Sequence, residues 1–251
     1  MHSTAHAKAE AILANLKVVD GERHRRAHQA GMNRAVAAVK AYQQRRFTHT
    51  YADLLASERY GSASRFFLDE LYGPSDFTRR DAQFARVVPA LVRLFPDEVV
   101  QTVAALAELH AMSESLDSAM AAALHDATEI SARDYIRLWQ ATGRPKDRQA
   151  QIDLTLGVAA QLDSFTRKPL LRNSLRLMRG PARAAGMSEL QHFLESGFDT
   201  FRAMKGADEF IATVKSREQA LASRLFQANI DAASSTPSSL SALACLPDPA
   251  P

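Results

Sequence analysis

Alanine is the sequence feature that most restricts the fold of this chain. It occupies 45 of the 251 positions, and it combines the highest helix propensity with a low preference for strands. Glycine and proline, the residues that interrupt helices, occupy only 10 positions each. No segment alternates between apolar and polar residues for long enough to indicate a strand. The sequence therefore predicts an all-α protein built as a multi-helix bundle.

Apolar spacing, cap residues and glycine or proline stops divide the chain into successive helices. The first is predicted over residues 5–19 with its end at Gly21, and the second over residues 22–47, with Arg23 on an outward basic stripe. Further helices are predicted near residues 62–72, 77–94, 97–124, 132–142, 145–166, 170–178, 187–205 and 207–229, with Gly180-Pro181 as an interruption and Gly206 at the turn of a closing hairpin.

The domain organisation follows from a change in composition near the C-terminus. Residues 1–230 are assigned to one helical domain, with possible lobes at residues 1–129 and 130–230. Fourteen of the 21 residues from 231 to 251 are serine, alanine or proline. Such a segment has too little apolar surface to bury, so we predict a disordered C-terminal tail there.

Composition also argues against several classes of protein. The only cysteine, Cys245, excludes an internal disulfide and a multi-cysteine metal site. No apolar run approaches the roughly 18 residues of a membrane span, and none near the start of the chain is typical of a secretory signal. The sequence holds no phosphate-binding glycine loop, no nucleophile elbow and no His-Glu-x-x-His motif. We therefore expect a soluble, cytoplasmic protein without a cofactor.

The charged residues are unevenly distributed along a chain whose net charge is +3. Residues 1–50 carry a balance of +6, residues 51–129 a balance of −7 and residues 130–251 a balance of +4. Segments of opposite sign can pack on one another or form contact surfaces for a partner protein. The alternative is that these charges lie on solvated helix faces.

The segment Phe66–Tyr72 reads Phe-Phe-Leu-Asp-Glu-Leu-Tyr, and its apolar residues recur at helical spacing. It resembles the signature of an uncharacterised bacterial family named for its FFLEELY motif, with Asp69 in place of the first glutamate. The resemblance covers about residues 59–125. It implies a bacterial source and a helical fold, and it implies no activity.

His110, Glu114 and Asp117 form the first candidate site, and we predict them as candidate metal ligands. Their spacing of i, i+4 and i+7 places them within about 60° on one flank of the helix predicted at 97–124. A histidine and a carboxylate one turn apart can share a metal ion or exchange a proton. Their position beside the apolar stripe predicts a seam between helices, where bundle sites are built. The same spacing is also typical of structural pairs on exposed helices.

A basic stripe formed by Lys168, Arg172, Arg176 and Arg179 is the second candidate, as a contact for a partner or an anion. These residues span about 80° of a helix surface at 100° per residue. Such a stripe can contact phosphates, an acidic protein or anionic lipid, or it can pair with acids of the same chain. Aromatic residues are scarce around it, so a stacking platform for single-stranded nucleic acid is not indicated.

These observations favour an interaction or regulatory protein without catalytic activity, which binds an unidentified partner protein or itself. The alternative is a helical-bundle enzyme, or a binder of a metal or small ligand, with its site at His110, Glu114 and Asp117. A second alternative is nucleic-acid binding through the basic stripe, for which the sequence gives less support.

Overall fold

The computed structural model describes residues 2–70, 77–124, 129–229 and 242–247, with side chains from residue 6 onward. The described residues contain eleven α-helices and no strand, which confirms the predicted all-α, multi-helix fold. None of these helices combines the length and the apolar composition that a membrane span requires. The helices are α1 (His2–His28), α2 (Met32–Thr50), α3 (Ala52–Ala56), α4 (Gly61–Glu70), α5 (Thr78–Leu94), α6 (Asp97–Ala122), α7 (Ala132–Thr142), α8 (Pro145–Thr166), α9 (Pro169–Ala184), α10 (Ser188–Ala203) and α11 (Asp208–Gln227).

Two helices, α6 and α8, lie at the centre of the packing and contact each other. Helices α1, α2, α5 and α7 pack around α6, and α9, α10 and α11 pack around α8. The beginnings of α6 and α7 follow the sequence signals. Pro96 precedes α6 with Asp97 and Glu98 in the first turn, and Ser131 caps α7 in a capping box with Asp134.

The buried apolar residues form three clusters. One joins α1, α5 and α6 around Ile12 and Val88. A second joins α2, α3, α4, α8, α10 and α11 around Tyr51 and Phe201. The third joins α2, α6, α7 and α11 around Tyr42 and Ile136. Polar groups are buried between these clusters, and this arrangement places the candidate site inside the bundle.

The first helix boundary differs from the prediction. Helix α1 continues through Gly21 to His28, and the break comes at Gly31, which has a φ of 77°. The stripe that α1 buries continues past Gly21 with Glu22 and Arg26. Tertiary packing therefore outweighs the low helix propensity of one glycine. Arg23, predicted to point outward, lies in α1 and pairs with Asp81.

Two later boundaries also differ. Helix α9 runs through Pro181 to Ala184, so Gly180-Pro181 does not interrupt it. The predicted hairpin of α10 and α11 is present only at its turn, where the two helices meet around Phe201 and Phe210. Beyond the turn, α10 packs on α8 and α9 alike, whereas α11 packs mainly on α8.

Part of the segment predicted as a tail lies against the core. Ala242 and Leu246 are buried in the cluster of α2, α6, α7 and α11, and the Tyr42 hydroxyl donates a hydrogen bond to the Pro247 carbonyl oxygen at 3.1 Å. Residues 230–241 and 248–251 lie outside the described residues, so the disordered tail stays a prediction for them.

Candidate functional site

A cleft of about 110 Å³ opens beside α6, between this helix and α1, α2, α4, α5, α8 and α10. We call it the α6 cleft. Its walls are mainly apolar, and one group of polar side chains lines it as well. The apolar lining comprises Leu16, Phe77, Phe84, Val103, Leu106, Ala107, Leu109, Leu190, Phe193 and Leu194. The polar lining comprises Lys40, Gln43, Glu70, Arg80, Asp81, His110, Ser113, Glu114, Asp117, Gln151 and Thr155.

His110 lies in this cleft with its imidazole against a carboxylate of α5. Its Nε2 atom is 2.8 Å from Asp81 Oδ2, and Arg23 Nη2 of α1 lies 2.6 Å from the same oxygen. Burial raises the pKa of Asp81, but the hydrogen bond from His110 and the guanidinium of Arg23 outweigh it, and the net pKa is lowered. Asp81 is therefore an anion that fixes the orientation of an imidazole lining the cleft.

Glu114 is one turn further along α6 and is nearly fully buried. Arg26 Nη1 of α1 donates to Glu114 Oε2 at 2.5 Å, and Lys40 Nζ of α2 donates to Oε1 at 2.6 Å. Burial raises the pKa of Glu114, but the charges of Lys40 and Arg26 outweigh this effect and bring the pKa to about 2. Glu114 thus holds α1 and α2 against α6 as a permanent anion.

Asp117 completes the sequence-predicted triad and has the weakest set of partners. Gln43 Nε2 donates to its Oδ1 at 3.0 Å, and Lys40 Nζ is 4.0 Å from its Oδ2. Burial raises the pKa of this carboxyl above its ordinary value, although Lys40 opposes the shift. The structure therefore brings all three predicted residues to one cleft while giving each its own protein partners.

Arg80 of α5 is a cleft residue that the sequence analysis missed. Its guanidinium lies 3.9 Å from the ring centroid of Phe77 and 4.5 Å from that of Phe193. It also donates to Glu70 Oε2 at 3.2 Å. Arg80 and Asp81 interrupt the apolar stripe of α5. A search of the sequence for charged residues on apolar helix faces would have found them.

The charges of the α6 cleft balance one another. Each of its four carboxylates, Glu70, Asp81, Glu114 and Asp117, has a cation within 4.0 Å, and those cations are Arg80, Arg23, Arg26 and Lys40. Within the described part of the chain, no group of three or more His, Cys, Asp or Glu side chains is arranged to hold a metal ion. The formal charges of these carboxylates and cations balance, and His110 shares Asp81 with Arg23.

The basic stripe lies at the surface on α9 and its N-cap residue Lys168, and three of its four residues pair with acids of this chain. Lys168 contacts Glu98, Arg172 Nη2 lies 3.0 Å from Asp199 Oδ1, and Arg179 Nε lies 2.6 Å from Glu195 Oε1. Arg176 is exposed. This pairing neutralises most of the charge that the stripe would offer to a phosphate or an acidic partner.

The FFLDELY segment contributes to packing and to one edge of the cleft. Phe66 and Phe67 are buried, Asp69 is exposed, and Glu70 accepts the hydrogen bond from Arg80. Leu71 and Tyr72, with the predicted stop that follows them, lie outside the described residues.

Comparison with known proteins gives one match. A family model described as "Domain of unknown function (DUF8198)" matches residues 22–232. No curated protein and no solved structure matches the chain. The prediction of an uncharacterised family is confirmed, whereas the FFLEELY motif is not confirmed by this match.

Proposed function

We propose that this chain, which belongs to the family of the domain of unknown function DUF8198, binds a small, uncharged amphipathic molecule in the α6 cleft. The observation that carries the proposal is the combination of apolar walls with a charge-balanced polar group at His110. Clefts of this composition, with few convergent polar groups, are typical of small-molecule sites.

The lining indicates the chemistry of the molecule. Leu106, Phe193 and Leu194 offer apolar surface to an aromatic or aliphatic body. The four ion pairs leave no net charge for the ligand to neutralise, so a charged ligand would lose hydration without gaining a counter-ion. When Nε2 of His110 donates to Asp81, Nδ1 accepts a hydrogen bond, and a hydroxyl or amide N–H of the ligand supplies it.

Leu194 supplies the variant that tests this site, because it lines the cleft and is 39% exposed. A tryptophan there extends into the cleft from its mouth and leaves the buried ion pairs untouched. Leu177 on α9 is 78% exposed and does not line the cleft, so L177W is the matched control. The experiment compares native and denatured masses of the wild-type protein, L194W and L177W, each purified without a metal-affinity tag.

We expect a mass excess of a small organic molecule in the native wild type and in L177W, and its loss in L194W. An excess that L194W retains would place the ligand elsewhere. An excess equal to a metal ion, lost in H110A, would favour the metal site at His110, Glu114 and Asp117 instead.

The second candidate is a protein-interaction function at α9, which we propose on a separate observation. Leu170 and Leu177 are 80% and 78% exposed and lie two turns apart on one face of this helix. Large apolar side chains exposed together are typical of contact surfaces. If α9 mediates self-association, sedimentation of the wild type will show an oligomer that L170S/L177S converts to a monomer. An unchanged sedimentation coefficient would contradict this function.

A further inference from the structure

A second cavity, of about 60 Å³, lies next to the α6 cleft and has a different electrostatic character. It is enclosed by α2, α4, α7, α8 and α11, and we call it the Arg148 cavity. Gln43, Gln151 and Thr155 line both spaces. The other residues that define it here are Arg46, Phe47, Tyr135, Trp139, Arg148 and Glu218.

Arg148 is a buried guanidinium without an ion-pair partner among the described residues. It is only 4% exposed. Its Nη1 donates to Gln151 Oε1 at 3.1 Å, its Nη2 lies 2.9 Å from Met120 Sδ, and its Cζ lies 4.0 Å from the ring centroid of Trp139. All three of these partners are neutral. A charge removed from water needs an opposite charge as well as hydrogen bonds.

The neighbouring charges do not supply that opposite charge. Arg46 is nearby and is itself paired with Glu218 at 2.5 Å, so this couple is balanced. Asp117 acts on Arg148 only from beyond ion-pair distance, and it already belongs to the balanced network of the α6 cleft. The charged groups around the cavity therefore have one positive charge in excess.

An independent observation comes from Trp139. This residue is 8% exposed, it lines the same cavity, and its Nε1–H has no hydrogen-bond partner. Buried polar atoms without a partner are uncommon, and one explanation is a missing ligand or ion. Arg148 and Trp139 both line the cavity, and the guanidinium and the indole N–H are both donors that suit an anionic acceptor.

We infer that the Arg148 cavity binds a small monocarboxylate, with its oxygens on Arg148 and Trp139 Nε1. A guanidinium matches a carboxylate in charge and in planar geometry. A cavity of about 60 Å³ has room for about five heavy atoms, because one water needs roughly 10–15 Å³ by this measure. The remaining lining, which includes Leu156 and Val214, suits a short alkyl chain. This inference stands on its own observations and does not depend on the ligand of the α6 cleft.

Trp139 is the only tryptophan of the chain, so intrinsic fluorescence reports directly on this site. The probe is sodium propionate, and propionamide and sodium chloride at equal ionic strength are its neutral and inorganic counterparts. We expect a saturable change in tryptophan emission with propionate and none with the two counterparts. A response of equal size to propionamide would overturn the inference, as would the absence of a response to propionate.

Substitutions of Arg148 test whether its guanidinium causes the fluorescence response to propionate. R148M removes the charge and retains a long side chain, so we expect a folded protein whose propionate affinity falls more than tenfold. R148K keeps a charge without the planar fork and is expected to bind propionate more weakly than the wild type, which preserves the test if R148M fails to fold. K146M, at an exposed cation of the same helix, should bind like the wild type. Wild-type affinity in both Arg148 variants would overturn the assignment.

L194W separates this inference from the proposed function. It obstructs the α6 cleft and leaves the lining of the Arg148 cavity unchanged. Because L194W adds a second tryptophan, propionate binding to this variant is measured by isothermal titration calorimetry, and we expect its dissociation constant to equal that of the wild type. Binding abolished in L194W would mean that propionate binds in the α6 cleft, and it would overturn the separate site.

Discussion

At the scale of single residues, the main feature of this molecule is a set of charged side chains that are buried and paired inside the bundle. Glu114 stays ionised inside the bundle because Arg26 and Lys40 approach its two oxygens from two other helices. These partners are 88 and 74 residues away in sequence. The sequence shows the spacing of His110, Glu114 and Asp117 on one helix. It could not show their distant partners, because only the tertiary fold brings those residues to α6.

The lowered pKa of Glu114 predicts how the free energy of unfolding depends on pH. Its pKa falls from an ordinary 4.5 to about 2 on folding. Between these values the unfolded chain binds a proton that the folded chain does not. The stabilisation is therefore complete above pH 4.5 and is lost as the pH falls toward 2. At about 1.4 kcal/mol per pKa unit, it amounts to about 3 kcal/mol.

Urea unfolding of the wild type and E114Q at pH 7 and at pH 3 tests this account. We expect the difference in free energy of unfolding between them to be smaller at pH 3. E10Q, at an exposed glutamate, is the control and should leave the pH dependence of the wild type unchanged. A difference between wild type and E114Q that is equal at both pH values would contradict the role of Glu114 as a buried anion.

At the scale of helices, α4 and α10 meet where the FFLDELY segment contacts a glycine. A Cβ atom added at Gly197 of α10 would lie 3.0 Å from Phe66 Cζ of α4. The Phe66 ring stacks on Phe193 with centroids 5.6 Å apart and meets the edge of Phe67. The ring is therefore confined on two sides, and the close approach of the helices requires glycine here.

We predict that G197A lowers the free energy of unfolding. Alanine gains up to about 1 kcal/mol over glycine in a helix interior, but overpacking a confined site costs about 1–3 kcal/mol. G157A is the matched control, because nothing lies within 4 Å of a Cβ at Gly157 of α8. It should be neutral or stabilising in the same urea titration. If G197A were as stabilising as G157A, the contact with Phe66 would not be tight.

At the scale of the whole molecule, local signals in the sequence were sufficient for the class of fold and for most helices. The ends of α8 at Pro145 and Thr166 agree with the prediction, since proline and capping signals act within one turn. The continuation of α1 through Gly21 was not predictable in this way, because distant packing outweighs local propensity. Nothing in the structure explains the continuation of α9 through Pro181, since Ala182 is the one buried residue of that helix.

The candidate site was likewise predictable only where it depends on one helix. Three of its residues share one helix flank, so their periodicity identified them. The other walls come from α1, α2, α4, α5, α8 and α10, whose arrangement around α6 is not encoded in any local pattern. The excess charge at Arg148 likewise becomes visible only when all its neighbours are in place.

The measurement that tests the central claim most directly is thermal unfolding of the wild type, L194W and L177W in the presence of p-cresol, hexanoate or hexylamine. A ligand that binds only the folded state stabilises it by about 2.7 kcal/mol at a hundred times its dissociation constant. The account predicts that neutral p-cresol raises the Tm of the wild type and of L177W saturably and does not raise the Tm of L194W. It also predicts that hexanoate and hexylamine raise the Tm of the wild type less than p-cresol does. An equal rise in L194W, or no rise with any of the three probes, would contradict a ligand site in the α6 cleft.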